Sequence, residues 1–159
     1  MFKLRQIRIG LVVVSLYSLL APISLAQKNS MSNLILAAGA SQVKESLMGN
    51  TGGSYSLASI ANNDSKGNLC LGYGDPEPDH TMVLKSDFNK LLLQIDSGGN
   101  DTTLLIKSAE NDSIYCAYGQ NNSRDAVIEA QNWSADTYYI WVGSMTPNQR
   151  SPYRILVQS

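Results

Sequence analysis

The stretch DTYYIWVGSM, Asp136 to Met145, sets Tyr138, Tyr139 and Trp141 beside Ile140 and Val142 within ten positions. In a strand, residues two apart share a face. Tyr138, Ile140 and Val142 then fall on one side and Tyr139, Trp141 and Gly143 on the other. The side carrying Ile140 and Val142 is the one expected to face a core. The opposite pair, Tyr139 and Trp141, admits three roles: core under a neighbouring connection, a ring platform for a sugar or peptide, or the floor of an active site.

The same short period runs outward in both directions. SYSLASIA, NLCLGYG, TMVLKS, FNKLLLQIDS, TTLLIKSA, SIYCAYG, AVIEAQNW and PYRILVQ are runs rich in Val, Ile, Thr, Tyr and Leu. Between them stand turn clusters such as Asn62–Gly67, DPEPDH, GGND and ENDS. About nine strands with turn chemistry every 8 to 14 residues predict an antiparallel sandwich or barrel. No stretch keeps a helical period over any length, and no internal repeat is visible.

The N-terminal part reads differently. MFKLRQIRIG carries Lys3, Arg5 and Arg8 without an acid, and an apolar core of 13 residues, Ile9 to Ala21, ends at Pro22. Ser24 and Ala26 are small and stand at the −3 and −1 positions of a cut before Gln27. This pattern predicts a signal peptide over 1–26, since a spanning helix needs about 20 apolar residues. Residues 27–53 read as a linker, with a short helix over Ser41–Met48 ended by Gly49, Gly52 and Gly53. Residues 54–159 are then the β domain.

Cleavage would leave 133 residues, enough for one domain with its own core. Losing Lys3, Arg5 and Arg8 takes the formal net charge from −1 to −4. An acidic chain without a basic patch argues against nucleic acid, whose phosphates need clustered Lys and Arg. No membrane partner is expected once the leader is removed. The destination is secreted or periplasmic.

Two cysteines, Cys70 and Cys116, remain in the exported portion. An even count in an oxidising compartment favours a bridge between them over two buried thiols. Such a bridge would close 46 positions and be worth roughly 4 kcal/mol at most on chain-entropy grounds.

The catalytic inventory is thin. His80, the one histidine, follows Asp75, Glu77 and Asp79 in DPEPDH. A hydrolase centred on His80 would need a serine nucleophile, and no Gly-x-Ser-x-Gly marks one. One histidine does not make the two- or three-histidine set of most catalytic zinc sites, and DPEPDH is also what a proline-stiffened turn looks like. GNTGGSYS lacks the Lys-Ser/Thr of a phosphate loop. Asn-x-Ser/Thr triplets stand at Asn63, Asn100, Asn111, Asn121 and Asn132, in a chain rich enough in these residues for chance to supply them. No catalytic residue, metal or cofactor is expected.

DTTLLIKSAENDSIYCAYG (101–119) together with NWSADTYYIWVGSMTPNQRSPYRILV (132–157) resembles the bacterial pre-peptidase C-terminal domain family and its small stand-alone secreted relatives. The shared order is Asp101, Thr102, Leu104 and Ile106, then Cys116, then Tyr138, Ile140, Trp141, Val142 and Gly143, closing on Tyr153, Ile155 and Val157. Upstream, LCLGYGDPEPDHTMVL resembles the Cys-x-Gly…Pro-Asp-His segment of the stand-alone relatives. The resemblance covers about Gly53 to Ser159. It implies a jelly-roll-like β-sandwich that is not itself catalytic and that accompanies secreted peptidases or binds matrix. Relatives often carry paired acids after the cysteine; here Ala117 and Tyr118 follow Cys116, so a calcium-type carboxylate cluster at that point is missing. Thr137 replaces a frequent glycine before the aromatic strand.

The leading expectation is an exported, non-catalytic β-sandwich of about eight or nine strands that binds an unknown protein or polysaccharide. The alternative is a carbohydrate-binding module using Trp133, Tyr139 and Trp141. A small hydrolase centred on His80 comes third.

Overall fold

The computed structural model describes residues 32–37, 43–120 and 123–159. The expected signal peptide, residues 1–26, and Asn121 lie outside the described residues. Among the described residues eleven strands make two facing sheets, and the only helical element is a short 3-10 turn at Leu57–Ser59. The chain is the all-β sandwich its period predicts.

One sheet is built around β10 (Thr137–Ser144). On one side β10 pairs over Tyr138–Ser144 with β7 (Thr102–Ser108), and β7 pairs in turn with β8 (Ile114–Tyr118). On the other side β10 pairs with β5 (His80–Leu84) and, further along, with β4 (Tyr73–Gly74), which carries β3 (Tyr55–Ser56). β1 (Ser32–Leu36) lies outside β5. The second sheet runs β2 (Lys44–Asn50), β11 (Pro152–Gln158), β6 (Phe88–Asp96), β9 (Val127–Trp133), all antiparallel.

The main core lies between the sheets. Met82, Leu84, Leu104, Ile106, Tyr138, Ile140 and Val142 from one sheet meet Leu47, Leu91, Leu93, Ile95, Ile128, Tyr153, Ile155 and Val157 from the other. Tyr138, Ile140 and Val142 thus face inward as the alternation of β10 requires. A second apolar cluster of Leu57, Cys70, Leu105 and Trp141 forms on the other side of the β7/β10 sheet, where the 57–72 connection folds over it. This double cover explains why Thr102 to Ile106 are buried on both faces.

Three expectations are corrected. The stretch 27–53 is not only a linker: β1 and β2 fall inside it and complete one sheet each. Where a helix was expected, Lys44–Asn50 is a strand paired over seven positions with β11, because pairing and the burial of Leu47 outweigh a weak local helical preference. Gly49 does not stop a helix; it leaves room for the Tyr153 ring, which a Cβ there would strike. Finally, the sandwich is not wholly antiparallel, since β1 runs parallel to β5. The chain reaches β5 from β1 by way of β2 in the opposite sheet, the crossover a parallel pair needs.

Candidate functional site

His80 opens β5 with its ring in the gap between the sheets, 2% exposed. Its Nδ1 lies 2.5 Å from Ser32 Oγ on β1 and its Nε2 2.7 Å from Tyr153 Oη on β11. Burial lowers the imidazole pKa to about 4. Burial raises the neighbouring Asp79 to about 7, against the opposing hydrogen bond that its Oδ2 accepts from the Val142 N–H at 2.8 Å. Burial, and secondarily Asp79, also pushes the Tyr153 hydroxyl well above the ordinary tyrosine value. Ser32, His80 and Tyr153 therefore form a neutral polar tie from one sheet to the other. An efficient general base at neutral pH needs a pKa near 7 and reach to a substrate. His80 has a low pKa, and both ring nitrogens are occupied.

The three candidate ring residues do not form one surface. Trp133 is fully buried in the main core, stacked on Tyr115 at 4.3 Å between ring centroids. Trp141 lies on the other side of the β10 sheet but is only 6% exposed, under Leu57 and Cys70. Its Nε1 donates to the Pro76 carbonyl at 3.3 Å, so the DPEPDH turn closes over it. Tyr139 alone presents its ring, in edge contact with Trp141. The opening stretch thus has two core faces, one inside the sandwich and one beneath a loop, with a single exposed tyrosine.

Cys70 and Cys116 are bonded, with Cα atoms 5.1 Å apart. Cys70 is buried in the 57–72 connection, and Cys116 is in the middle of β8. The bridge holds that connection along the outer edge of β8. There Ser65 N–H donates to the Ile114 carbonyl at 3.0 Å, and Ile114 N–H donates to Ser65 Oγ at 2.9 Å. Asp64 accepts from the main-chain N–H of Lys66, Asn68 and Cys116 and from Asn68 Nδ2. Burial tends to raise its carboxyl pKa, but these bonds outweigh burial and hold it below the usual value.

Beside this covered edge the molecule has an open groove of about 440 Å³. It runs between β8 of one sheet and β9 of the other, lined by Leu69, Ala117, Tyr118, Gln120, Asp125 and Val127. A smaller hollow bordered by Asp64, Lys66 and Glu129 continues it. Asp125 is fixed by Ser97, whose N–H and Oγ both donate to Oδ1; its Oδ2 has no partner among the described residues. Leu69 is 57% and Val127 42% exposed, unusual for apolar side chains on one small surface.

The sequence reading missed these residues. SIYCAYG and AVIEAQNW are consecutive runs, which suggests a hairpin, yet they lie in different sheets. A signal was present in GQNNSRDA, the Gly119–Ala126 connection, which is longer than a tight hairpin turn.

No family model and no curated protein matches the chain. Among solved structures it is similar to the pre-peptidase C-terminal domain of collagenase from Bacillus anthracis, at 16% identity and a TM-score of 0.44, over 80% of this chain and 96% of that one. It is also similar to Aeromonas hydrophila PliG, a periplasmic lysozyme inhibitor of g-type lysozyme, at 10% identity and a TM-score of 0.42, over 80% and 95% of the two chains.

Proposed function

We propose that the chain is an exported, non-catalytic binding module of the pre-peptidase C-terminal type, and that it holds its partner in the groove between β8 and β9. The observation that carries this reading is the groove itself: an open cleft of about 440 Å³, between two sheet edges, with Leu69 and Val127 exposed at its rim. The Cys70–Cys116 bond supports export, because such bonds persist in oxidising compartments. The occupied, low-pKa His80 supports a role other than hydrolysis.

The test is capture by the immobilised 27–159 chain of insoluble polysaccharides, collagen-like peptides and secreted peptidases. Leu69→Arg and Val127→Arg are expected to abolish capture, while Ile35→Arg, on the distant β1 edge, leaves it intact. Capture that survives both groove substitutions would place the binding surface elsewhere. A hydrolase panel run alongside is expected to show nothing that His80→Gln removes.

A further inference from the structure

The two strands that flank the groove treat their outer edges differently. The edge of β8 is covered by the 64–68 turn and secured by the disulfide, a common way to blunt a free edge. The edge of β9 is not. Among the described residues β9 pairs with β6 alone. Ile95 N–H donates to the Ala126 carbonyl at 3.0 Å, which fixes the phase of the ladder. By antiparallel alternation, Ile128 and Ala130 turn their main-chain groups toward β6, and Val127, Glu129 and Gln131 turn theirs outward. Those outward groups have no hydrogen bond among the described residues, and those of Val127 and Glu129 border the groove.

Beside that edge acids outnumber bases. Asp64, Asp125 and Glu129 line the groove and its extension, and Lys66 is the one cation among the described lining residues. Arg124, next in sequence to Asp125, turns away: its Nη1 donates to the Gly99 carbonyl and its Nε faces Asp101 at 3.8 Å. Glu129 is paired with Lys90 at 2.7 Å, but both side chains are more than half exposed. Such surface pairs contribute little, so an incoming cation can displace Lys90.

We propose that the groove takes an extended, basic segment of a partner protein, added to the free edge of β9 as a fifth strand of its sheet. This rests on the binding-module reading above. Val127 to Gln131 spans about 13 Å at strand rise and would pair with about five residues. Main-chain bonds to Val127 and Glu129 hold the segment. Its inward side chains meet Leu69, Ala117 and Tyr118, and its Lys or Arg meets the free oxygen of Asp125 and Glu129.

The experiment measures anisotropy of fluorescein-labelled hexapeptides with the 27–159 chain, at low and physiological ionic strength. The probes are Lys-Val-Lys-Val-Lys-Val, the Glu-Val counterpart, and the lysine peptide N-methylated at alternate amides. The basic peptide is expected to bind about tenfold or more tightly than either control, a difference of at least about 1.4 kcal/mol. Asp125→Asn and Glu129→Gln should each weaken it, and Val127→Arg should abolish binding. Equal binding of the acidic peptide, or indifference to N-methylation, overturns the proposal. The N-methylated arm alters only the ligand, so it does not depend on any variant folding. If no peptide binds while Leu69→Arg and Val127→Arg still abolish capture of another partner, the binding-module reading stands and this inference falls. If capture also ignores the groove, both fall.

Discussion

Asp79 and His80 are adjacent at the head of β5, and burial displaces their pKa values in opposite directions. Asp79 keeps its proton up to about pH 7 against an ordinary 3.8. Its contribution to stability is therefore fully present below pH 3.8 and lost as pH rises through about 7. His80 titrates near 4 against an ordinary 6.5, so its contribution is present above 6.5 and lost as pH falls through about 4. Between roughly pH 4 and 6.5 the two slopes, each about 1.4 kcal/mol per pH unit, oppose and cancel. Asp79→Asn keeps an acceptor for the Val142 N–H and removes one slope. Its stability relative to the parent should climb with pH by about that slope between pH 4.5 and 6.5, read from urea unfolding. Parallel pH profiles would show that Asp79 titrates normally. At this scale the inward set of β10 was legible, because alternation alone places Tyr138, Ile140 and Val142. The burial of Trp141 was not: its cover comes from Leu57, Cys70 and Pro76, some 65 to 84 positions earlier in the chain. Nor was the His80 tie, whose partners Ser32 and Tyr153 are 48 and 73 positions away.

Among the elements, the 57–72 connection carries the least regular structure and depends most on its cross-link. Beyond the short 3-10 turn it is held by Leu57 N–H to the Gly72 carbonyl, Cys70 N–H to the Asn62 carbonyl, the Asp64 fan and the bond to Cys116. Opening a loop closed over 46 positions restores much chain entropy, and its loss by Cys70→Ala with Cys116→Ala should cost about 2–5 kcal/mol. The effect should be local before it is global. Trp141 should gain solvent and shift its emission to the red, whereas Trp133, inside the main core, should not. The amide of Cys116, which donates to Asp64, should lose exchange protection when position 116 is alanine. An emission spectrum unchanged in the native double variant would show that the loop is held by its other contacts. The bridge followed from cysteine count and compartment, but Cys70 was expected in a strand and lies in a loop. β7 advertised its double cover through the run Thr102–Ile106, a continuous buried stretch of the kind covered strands show. β2 gave no such signal: KESLMGN buries only Leu47 and becomes a strand by pairing with β11.

At the scale of the molecule, the expected boundary at residue 54 meets its physical test. Alternating runs marked the two-sheet core, but not which run closes each sheet, because β1 and β2 bury few side chains. Their removal would nonetheless strip both sheets. A chain trimmed to 54–159 loses Leu34, Leu36, Val43 and Leu47, each less than a tenth exposed in the whole protein. Burial of such side chains is worth about 1.5–3 kcal/mol each, or roughly 6–12 kcal/mol together as an upper estimate. A domain of this size is stable by only about 5–15 kcal/mol. The trimmed chain would also leave His80 without Ser32 and open the edges of β5 and β11, an invitation to strand pairing between copies. The 54–159 chain is therefore expected to be unfolded or aggregated, without near-ultraviolet circular dichroism or a cooperative melting transition, while the 27–159 chain shows both. A trimmed chain that melts cooperatively within a few degrees of the longer one would mean that β1 and β2 are accessory to the sandwich, and that the 54–159 boundary marks an autonomous domain after all.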